Sequence, residues 1–186
     1  MNKHPYSLGV CGYSGAGKTT LIERLVPLLR QDYTVGYLKH DAHHFEMDRP
    51  GKDTARIHDS GAGRVAIGSS TAFALLGTGP LDPSTLAAHF SGCDLLLIEG
   101  YKQGPWAKLV VLDAETKILE QVRSGEISQI LALTGPWPAT EISGEIREAL
   151  KGRPYIQRDD LAALLSLIQT QLQTPQTHLR QAVAYV

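Results

Sequence analysis

Residues 8–20 read LGVCGYSGAGKTT, and this stretch decides the fold. Residues 12–19 within it fit the pattern G-x-x-x-x-G-K-[ST], which is typical of a phosphate-binding loop between a strand and a helix. The glycines let successive backbone N–H groups curl round a dense anion, because a residue without a Cβ adopts unusual dihedral angles at little cost. The pattern therefore predicts a nucleotide triphosphate site at the end of the first strand.

The side chains at the end of this loop suit the chemistry of a triphosphate. Lys18 should reach the β- and γ-phosphates as a point charge, and the hydroxyl of Thr19 should ligate Mg²⁺. The start of the following helix adds its own partial positive charge. The predicted nucleotide-binding residues are Gly12, Tyr13, Ser14, Gly15, Ala16, Gly17, Lys18, Thr19 and Thr20.

Both flanks of the loop carry the expected patterns. The apolar run from Tyr6 to Cys11 predicts a strand. Pro27 interrupts the helical pattern that follows, and because it removes one backbone hydrogen bond we expect it to kink or shorten the final turns. Apolar residues recur after the loop at the spacing of one helical face, at Leu21, Ile22, Leu25, Leu28 and Leu29.

The composition suits one α/β domain, since 186 residues with 42% hydrophobic content can bury a core without disulfides. We expect a single nucleotide-binding domain over residues 1–172 and a tail at 173–186 that carries too little pattern to place. Cys11 and Cys93 fit small buried hydrophobes better than a disulfide. The net charge is −1, with no basic block and no apolar stretch of membrane-spanning length, so we expect a cytoplasmic protein without nucleic-acid or membrane partners.

Further apolar runs predict a mostly parallel, doubly wound sheet of the three-layer α/β/α, P-loop NTPase-like class. The predicted strands are Thr34–Lys39, Arg64–Gly68, Ala72–Leu76, Asp94–Ile98, Leu109–Leu112 and Gln129–Leu133. The predicted helices are Lys52–Gly61, Pro83–Phe90, Ser143–Leu150 and Asp159–Leu172. Two strand-like runs meet around Gly68–Thr71, which indicates a local hairpin.

An acid follows the most apolar of these runs. The stretch DLLLIEG, residues 94–100, places Glu99 at the carboxyl end of a strand, where open α/β sheets bind ligands. In phosphate-loop proteins an acid at this place holds the magnesium shell or orients the attacking water, and Glu99 could do either through a bridging water. Asp94 begins the run, so we expect it at the far end in a capping or surface role.

A third segment, KHDAHHFEMDRPGKD at 39–53, concentrates charged residues directly after a predicted strand. Asp41 is the second acid that we expect near the magnesium, and Lys39 and Lys52 could meet phosphates or an anionic partner. A transition-metal site would need a fourth ligand, and no cysteine lies nearby, so a polar loop is the preferred interpretation. The imidazoles that admit the metal interpretation are His40, His43 and His44.

Three stretches together resemble the molybdopterin-guanine dinucleotide biosynthesis protein B family: GYSGAGKTT, KHDAHHFEMDRPGKDTARIHDSGA and LLLIEGYKQGPWAKLVV. The resemblance covers residues 6–135. It implies a GTP-binding α/β protein, usually dimeric, that assists the guanylyltransferase joining GTP to molybdopterin. It further implies weak GTP hydrolysis at most, and it leaves open whether molybdopterin itself binds.

The resemblance also assigns residues and exposes two departures. Tyr13 stands where related dimeric ATPases carry a loop lysine, so no lysine donated across a dimer is expected. The chain has no N-K-x-D, so a preference for GTP over ATP rests on the resemblance alone. The family's site residues fall on Gly12 through Thr20, Lys39, His40, Asp41, Gly51 through Asp53, Glu99 and Lys102.

The residues alone leave three functions open. The first is a nucleotide-dependent accessory protein whose triphosphate orders loops that a partner enzyme recognises. The second is a small-molecule kinase using ATP, with Asp41 or Glu99 as the catalytic base. The third is a binding module that retains nucleotide without turnover. We favour the first, with Asp41 and Glu99 completing the Mg²⁺ shell through water and with slow GTPase activity at most.

Overall fold

The computed structural model describes residues 5–40, 51–78 and 88–174. The described residues form two compact units, one comprising 5–40 with 88–174 and the other comprising 51–78. The roles expected for Asp41, His43 and His44, most of the helix expected at Pro83–Phe90, and the tail from residue 175 lie outside the described residues. Within the described ranges, no helix combines the length and the apolar character that crossing a membrane requires.

The strands in chain order are β1 Tyr6–Cys11, β2 Val35–Lys39, β3 Arg64–Gly68, β4 Phe73–Gly77, β5 Leu95–Glu99, β6 Ala107–Val111, β7 Ile130–Gly135 and β8 Tyr155–Gln157. The α-helices are α1 Lys18–Leu29, α2 Asp53–Asp59, α3 Ile118–Ser124, α4 Gly144–Leu150 and α5 Leu161–Gln173. A short 3-10 helix covers Ala88–Phe90. In the described part of the chain, six strands form a parallel sheet in the order β2-β5-β1-β6-β7-β8.

This sheet confirms the predicted doubly wound architecture. Every residue of β5 is buried, as the unbroken run LLLIE requires of a strand covered on both faces. Leu25 of α1 and Leu164 of α5 belong to the core cluster on one face, and Leu119 of α3 and Ile146 of α4 belong to the cluster on the other. The sheet therefore separates two helical layers, with the carboxyl ends of its strands at one edge.

The second unit contains the predicted hairpin. β3 and β4 pair antiparallel, with Gly68 opposite Phe73, and α2 precedes them in the same unit. Val65 of β3 is buried on one face of the pair. On the other face Phe73 and Leu75 are 87% and 50% exposed, so the hairpin leaves apolar side chains uncovered in this structure.

Two elements of the larger unit were absent from the sequence prediction, namely α3 and β8. β8 has only three residues, too few for a periodic pattern to stand out, and α3 begins after Lys117 without the side-chain cap that Ser143 gives the equally short α4. The helix α1 continues through Pro27 and ends at Leu29. Both cysteines of the described residues are free, with Cys11 buried and Cys93 half-buried.

A fully buried lysine on β6 is the least expected feature of the core. Lys108 interrupts the apolar strand AKLVV, and its ammonium group donates to the carbonyl oxygens of Gly104 at 2.5 Å, Trp106 at 3.0 Å and Ser128 at 2.9 Å. Burial lowers the pKa of this ammonium group. Its three bonds join the segment that precedes β6 and the segment that precedes β7 to a strand in the middle of the sheet.

Candidate nucleotide-binding site

The predicted phosphate-binding loop joins the buried carboxyl end of β1 to the first turn of α1. Gly12 must be a glycine because a Cβ at this position would lie 2.6 Å from the carbonyl oxygen of Val111 on β6. Gly17 has a φ of +88°, and a Cβ there would lie 2.7 Å from Nη1 of Arg158. Val111 and Arg158 therefore leave no room for a side chain at Gly12 and Gly17, which explains why these two positions of the loop are glycines.

The first turn of α1 presents its backbone N–H groups without a competing side chain. Gly17 occupies the N-cap position, no side chain caps the turn, and the turn contains no acidic residue. The first N–H groups of a helix lack partners within the helix and carry a partial positive charge. This helix start is therefore suited to bind an anion.

Lys18 lies at the mouth of the loop. Its ammonium group donates a hydrogen bond of 2.8 Å to the carbonyl oxygen of Tyr13, which holds the long side chain along the loop. Partial burial lowers the pKa of Lys18, while the nearby Glu99 carboxylate opposes that shift. A phosphate at this position would pair with the half-buried ammonium group.

Glu99 ends β5 directly beside the loop, as the apolar run predicts. The register places Val10 of β1 on one side of it and Lys39 of β2 on the other. Glu99 as a residue is 5% exposed, and its carboxylate accepts hydrogen bonds from the Thr19 hydroxyl at 2.9 and 3.0 Å and from the Tyr37 hydroxyl at 2.7 Å. The hydroxyl and the acid predicted to share one metal therefore lie in direct contact, although 80 residues separate them in the chain.

The donors at this point fit a magnesium ion. Mg²⁺ prefers hard oxygen ligands and is commonly bound by one or two protein oxygens together with water and substrate phosphates. The Thr19 hydroxyl and the Glu99 carboxylate supply such oxygens beside the loop. A bound Mg²⁺ would neutralise charge on the phosphates. Among the described residues no group of three His, Cys, Asp or Glu side chains could hold a metal without such help.

Tyr37 is a site residue that the sequence patterns did not predict. Its contact with Glu99 leads to a testable prediction. Tyr37→Phe should weaken Mg²⁺-dependent triphosphate binding several-fold, because one hydrogen bond to a charged group contributes about 1.5–3 kcal/mol and water replaces part of it. The measurement is the dissociation constant at low and high Mg²⁺. Tyr33→Phe is the matched control, since Tyr33 packs against the core cluster instead. An unchanged magnesium dependence in Tyr37→Phe would contradict this role.

Arg158 is a second residue at the loop that the sequence patterns did not predict. It follows β8, and its guanidinium group donates a 2.9 Å hydrogen bond to the carbonyl oxygen of Ala16 from a position 142 residues away in sequence. Its backbone N–H bonds to Gly135 at the end of β7. The phosphate-binding loop is thus supported from the β8 side as well as by Glu99 from the β5 side.

Three further residues singled out in the sequence lie at different places around the sheet: His40, Lys102 and Asp94. His40 donates its backbone N–H to the Glu99 carbonyl oxygen at 2.9 Å, and its ring lies 4.2 Å from that of Tyr101. Lys102 lies 4.0 Å above the Tyr13 ring and donates to Gln121 at 2.9 Å, so this lysine does contact the loop side chain. Asp94 accepts from the Thr34 backbone N–H at 2.9 Å at the opposite end of β5, as expected.

A parallel sheet with this loop at the end of its central strand, and an acid on the neighbouring strand, defines a P-loop NTPase-like protein. The model of one family within that class, described as molybdopterin guanine dinucleotide synthesis protein B, matches residues 7–134. The chain belongs to this MobB family.

Individual relatives agree with this membership. The chain is 37% identical over 128 residues to a molybdopterin-guanine dinucleotide biosynthesis adapter protein of Haemophilus influenzae, covering 66% of this chain and 72% of that protein. It is 36% identical over 111 residues to the adapter protein of Escherichia coli, covering 56% of this chain and 63% of that one. The crystal structure of Bacillus subtilis MobB superposes with a TM-score of 0.70 at 26% identity, covering 92% and 99% of the two chains.

Proposed function

We propose that this chain binds GTP with Mg²⁺ and acts as an accessory protein in assembly of the molybdopterin guanine dinucleotide cofactor. The observation that carries the proposal is the contact between Thr19 and Glu99 beside Lys18, a cation and two oxygen donors gathered at the mouth of a phosphate-binding loop. Family membership and the names of the relatives from two organisms support the pathway.

The partner in this proposal is the guanylyltransferase that joins GTP to molybdopterin. An adapter would use its nucleotide to order surface segments that the enzyme recognises, since a triphosphate and its metal can hold loops in one arrangement. Asp41, which lies outside the described residues, is proposed to complete the Mg²⁺ shell through water, and molybdopterin itself is a further candidate ligand. The two free cysteines are compatible with the reducing cytoplasm in which we place this step.

We propose slow hydrolysis at most, and not kinase activity. A kinase needs a base that accepts a proton from the acceptor hydroxyl. Glu99 already accepts hydrogen bonds from two hydroxyl groups, those of Thr19 and Tyr37, which suits a positioned metal ligand better than a base facing an open acceptor pocket. A phosphorylated small-molecule product from ATP would contradict this part of the proposal.

Reconstitution with the partner enzyme tests the accessory function. Molybdopterin, GTP, Mg²⁺ and a purified guanylyltransferase are combined with and without this chain, and the guanine dinucleotide product is quantified by chromatography. We expect the chain to raise the yield or rate of product, and Lys18→Ala to fail to do so. Equal product with wild type, with Lys18→Ala and without the chain would overturn the proposal.

We also propose that the chain is a homodimer that uses the β3–β4 hairpin. A two-stranded hairpin is marginally stable alone, and paired residues of an antiparallel ladder share a face. Phe73, Leu75 and Ala66 lie on one face of this hairpin and are all exposed, with Leu75 directly opposite Ala66. A second copy covering this face would bury the apolar side chains, which are costly to leave in water.

Substitution of the exposed phenylalanine tests the dimer. Phe73→Asp should convert a dimer to a monomer, because it places an unpaired charge where we expect a desolvated contact. The molar mass is read by light scattering after size exclusion, across a range of concentrations. Thr71→Ala, in the adjoining turn, is the control and should stay dimeric. A wild-type monomer, or a dimeric Phe73→Asp protein, would contradict the assignment.

A further inference from the structure

A cavity adjoins the phosphate-binding loop on the side away from Glu99. Its walls include Gly15 and Gly17 of the loop, Thr20 and Arg24 of α1, and Arg158 with Asp159 after β8. Its volume is about 330 Å³, which lies at the lower end of the roughly 300–1,000 Å³ typical of small-molecule sites. The cavity is therefore large enough to hold part of a ligand whose phosphates occupy the loop.

The order of the strands indicates on which side of β1 the nucleoside of a bound nucleotide would lie. β5, with Glu99 and the expected metal, lies on one side of β1, while β6, β7 and β8 lie on the other side. The cavity is on the β8 side, where the Arg158 backbone N–H bonds to Gly135 at 2.7 Å. A triphosphate held by Lys18 with its metal beside Thr19 would therefore extend its nucleoside toward this cavity.

A carboxylate lies at the cavity wall with a defined partner. Asp159 accepts a 2.5 Å hydrogen bond from Arg24, which holds the pKa of Asp159 below its usual range. The carboxylate is therefore ionised at neutral pH and can only accept hydrogen bonds. Its side chain is 60% exposed and that of Arg24 40% exposed, so a ligand in the cavity can approach the pair.

A carboxylate at the wall of this cavity would distinguish guanine from adenine by their hydrogen-bonding groups. Guanine presents two adjacent donors, N1–H and the 2-amino group, whereas adenine presents an unprotonated N1 that would face the carboxylate oxygens as a second acceptor. The chain lacks N-K-x-D, so recognition of guanine would need a group from another segment. We propose that this cavity is the nucleobase site and that Asp159 accepts from N1–H and the 2-amino group of guanine. This inference rests on the proposed binding of GTP.

Substitution of Asp159 by Asn gives a direct test. An asparagine keeps one acceptor and adds a donor, which matches the N1–H and the 2-carbonyl oxygen of xanthine. Dissociation constants are measured by calorimetry for non-hydrolysable GTP, xanthosine triphosphate and ATP analogues on wild type and Asp159→Asn. We expect the ratio of GTP to xanthosine triphosphate affinity to fall by roughly 10- to 100-fold in the variant, the range of one bidentate base contact.

The ratio separates base recognition from general damage. All three ligands share the triphosphate, so a disturbed phosphate-binding loop would weaken them together and leave the ratio unchanged. Asp160→Asn is the matched control, because Asp160 caps α5 through the Ala163 backbone N–H and asparagine caps equally well. Wild-type preference for GTP with an unchanged ratio in Asp159→Asn would overturn only the Asp159 assignment. Wild-type preference for ATP would overturn the proposed function together with this inference.

Discussion

Lys18→Ala should weaken triphosphate binding by about 100-fold or more while leaving the fold intact. The ammonium group is the one cation of the loop itself, and it lies 2.8 Å from the Tyr13 carbonyl oxygen with its side chain half-buried. Its removal leaves the β- and γ-phosphates with the backbone donors and Mg²⁺ but without the lysine of the loop. The measurement is calorimetric titration with a non-hydrolysable GTP analogue and Mg²⁺, at protein concentrations high enough to detect micromolar to millimolar binding.

Two controls make this result interpretable. Arg30→Ala removes a positive charge just beyond the opposite end of α1, where it should leave nucleotide affinity unchanged. Thermal unfolding of Lys18→Ala should stay close to wild type, because the loss of a hydrogen bond from a charged group, about 1.5–3 kcal/mol, is offset by removal of a partly desolvated ammonium group. A Lys18→Ala protein that binds GTP as tightly as wild type would contradict the assignment of the phosphate-binding loop.

Lys108→Ala should lower the free energy of unfolding by about 3–5 kcal/mol. The substitution leaves the carbonyl oxygens of Gly104, Trp106 and Ser128 without their donor and opens a cavity in a fully buried position. Chemical denaturation monitored by tryptophan fluorescence measures the loss, since Trp106 itself accepts one of the three bonds.

Lys108→Met separates the hydrogen bonds from the cavity. Methionine fills similar volume and removes the desolvated charge but cannot donate to carbonyl oxygens, so we expect a smaller loss of about 1–3 kcal/mol. A Lys108→Met protein as stable as wild type would show that the three bonds only offset the cost of burying the ammonium group. Stability equal to wild type in Lys108→Ala would refute any structural role for this lysine.

The strand, loop and helix at the centre of the fold could be predicted from the sequence, because their patterns lie next to one another in a short stretch of the chain. A strand, a glycine-rich loop and an amphipathic helix follow one another within residues 6–29, and the structure forms them as predicted. The apolar run before Glu99 fixed its place as well, because a fully buried strand delivers its last residue to the edge of the sheet where β1 also ends.

The contacts that complete the site depend on residues distant in sequence. Tyr37 reaches Glu99 only through the pairing of β2 with β5, and Arg158 reaches Ala16 only because β8 is brought to the same edge of the sheet. No local pattern marks either residue, and Lys108 within an apolar strand contradicts the pattern altogether. These contacts could not be predicted because they depend on the order of the strands in the sheet, which a single sequence does not specify.

The central claim is that this phosphate-binding loop holds GTP, and calorimetric titration with non-hydrolysable GTP and ATP analogues, each with and without Mg²⁺, tests it most directly. We expect tighter binding of the GTP analogue than of the ATP analogue, with the affinity for GTP falling when Mg²⁺ is withdrawn. Tighter binding of the ATP analogue, or no binding of either, would contradict the account.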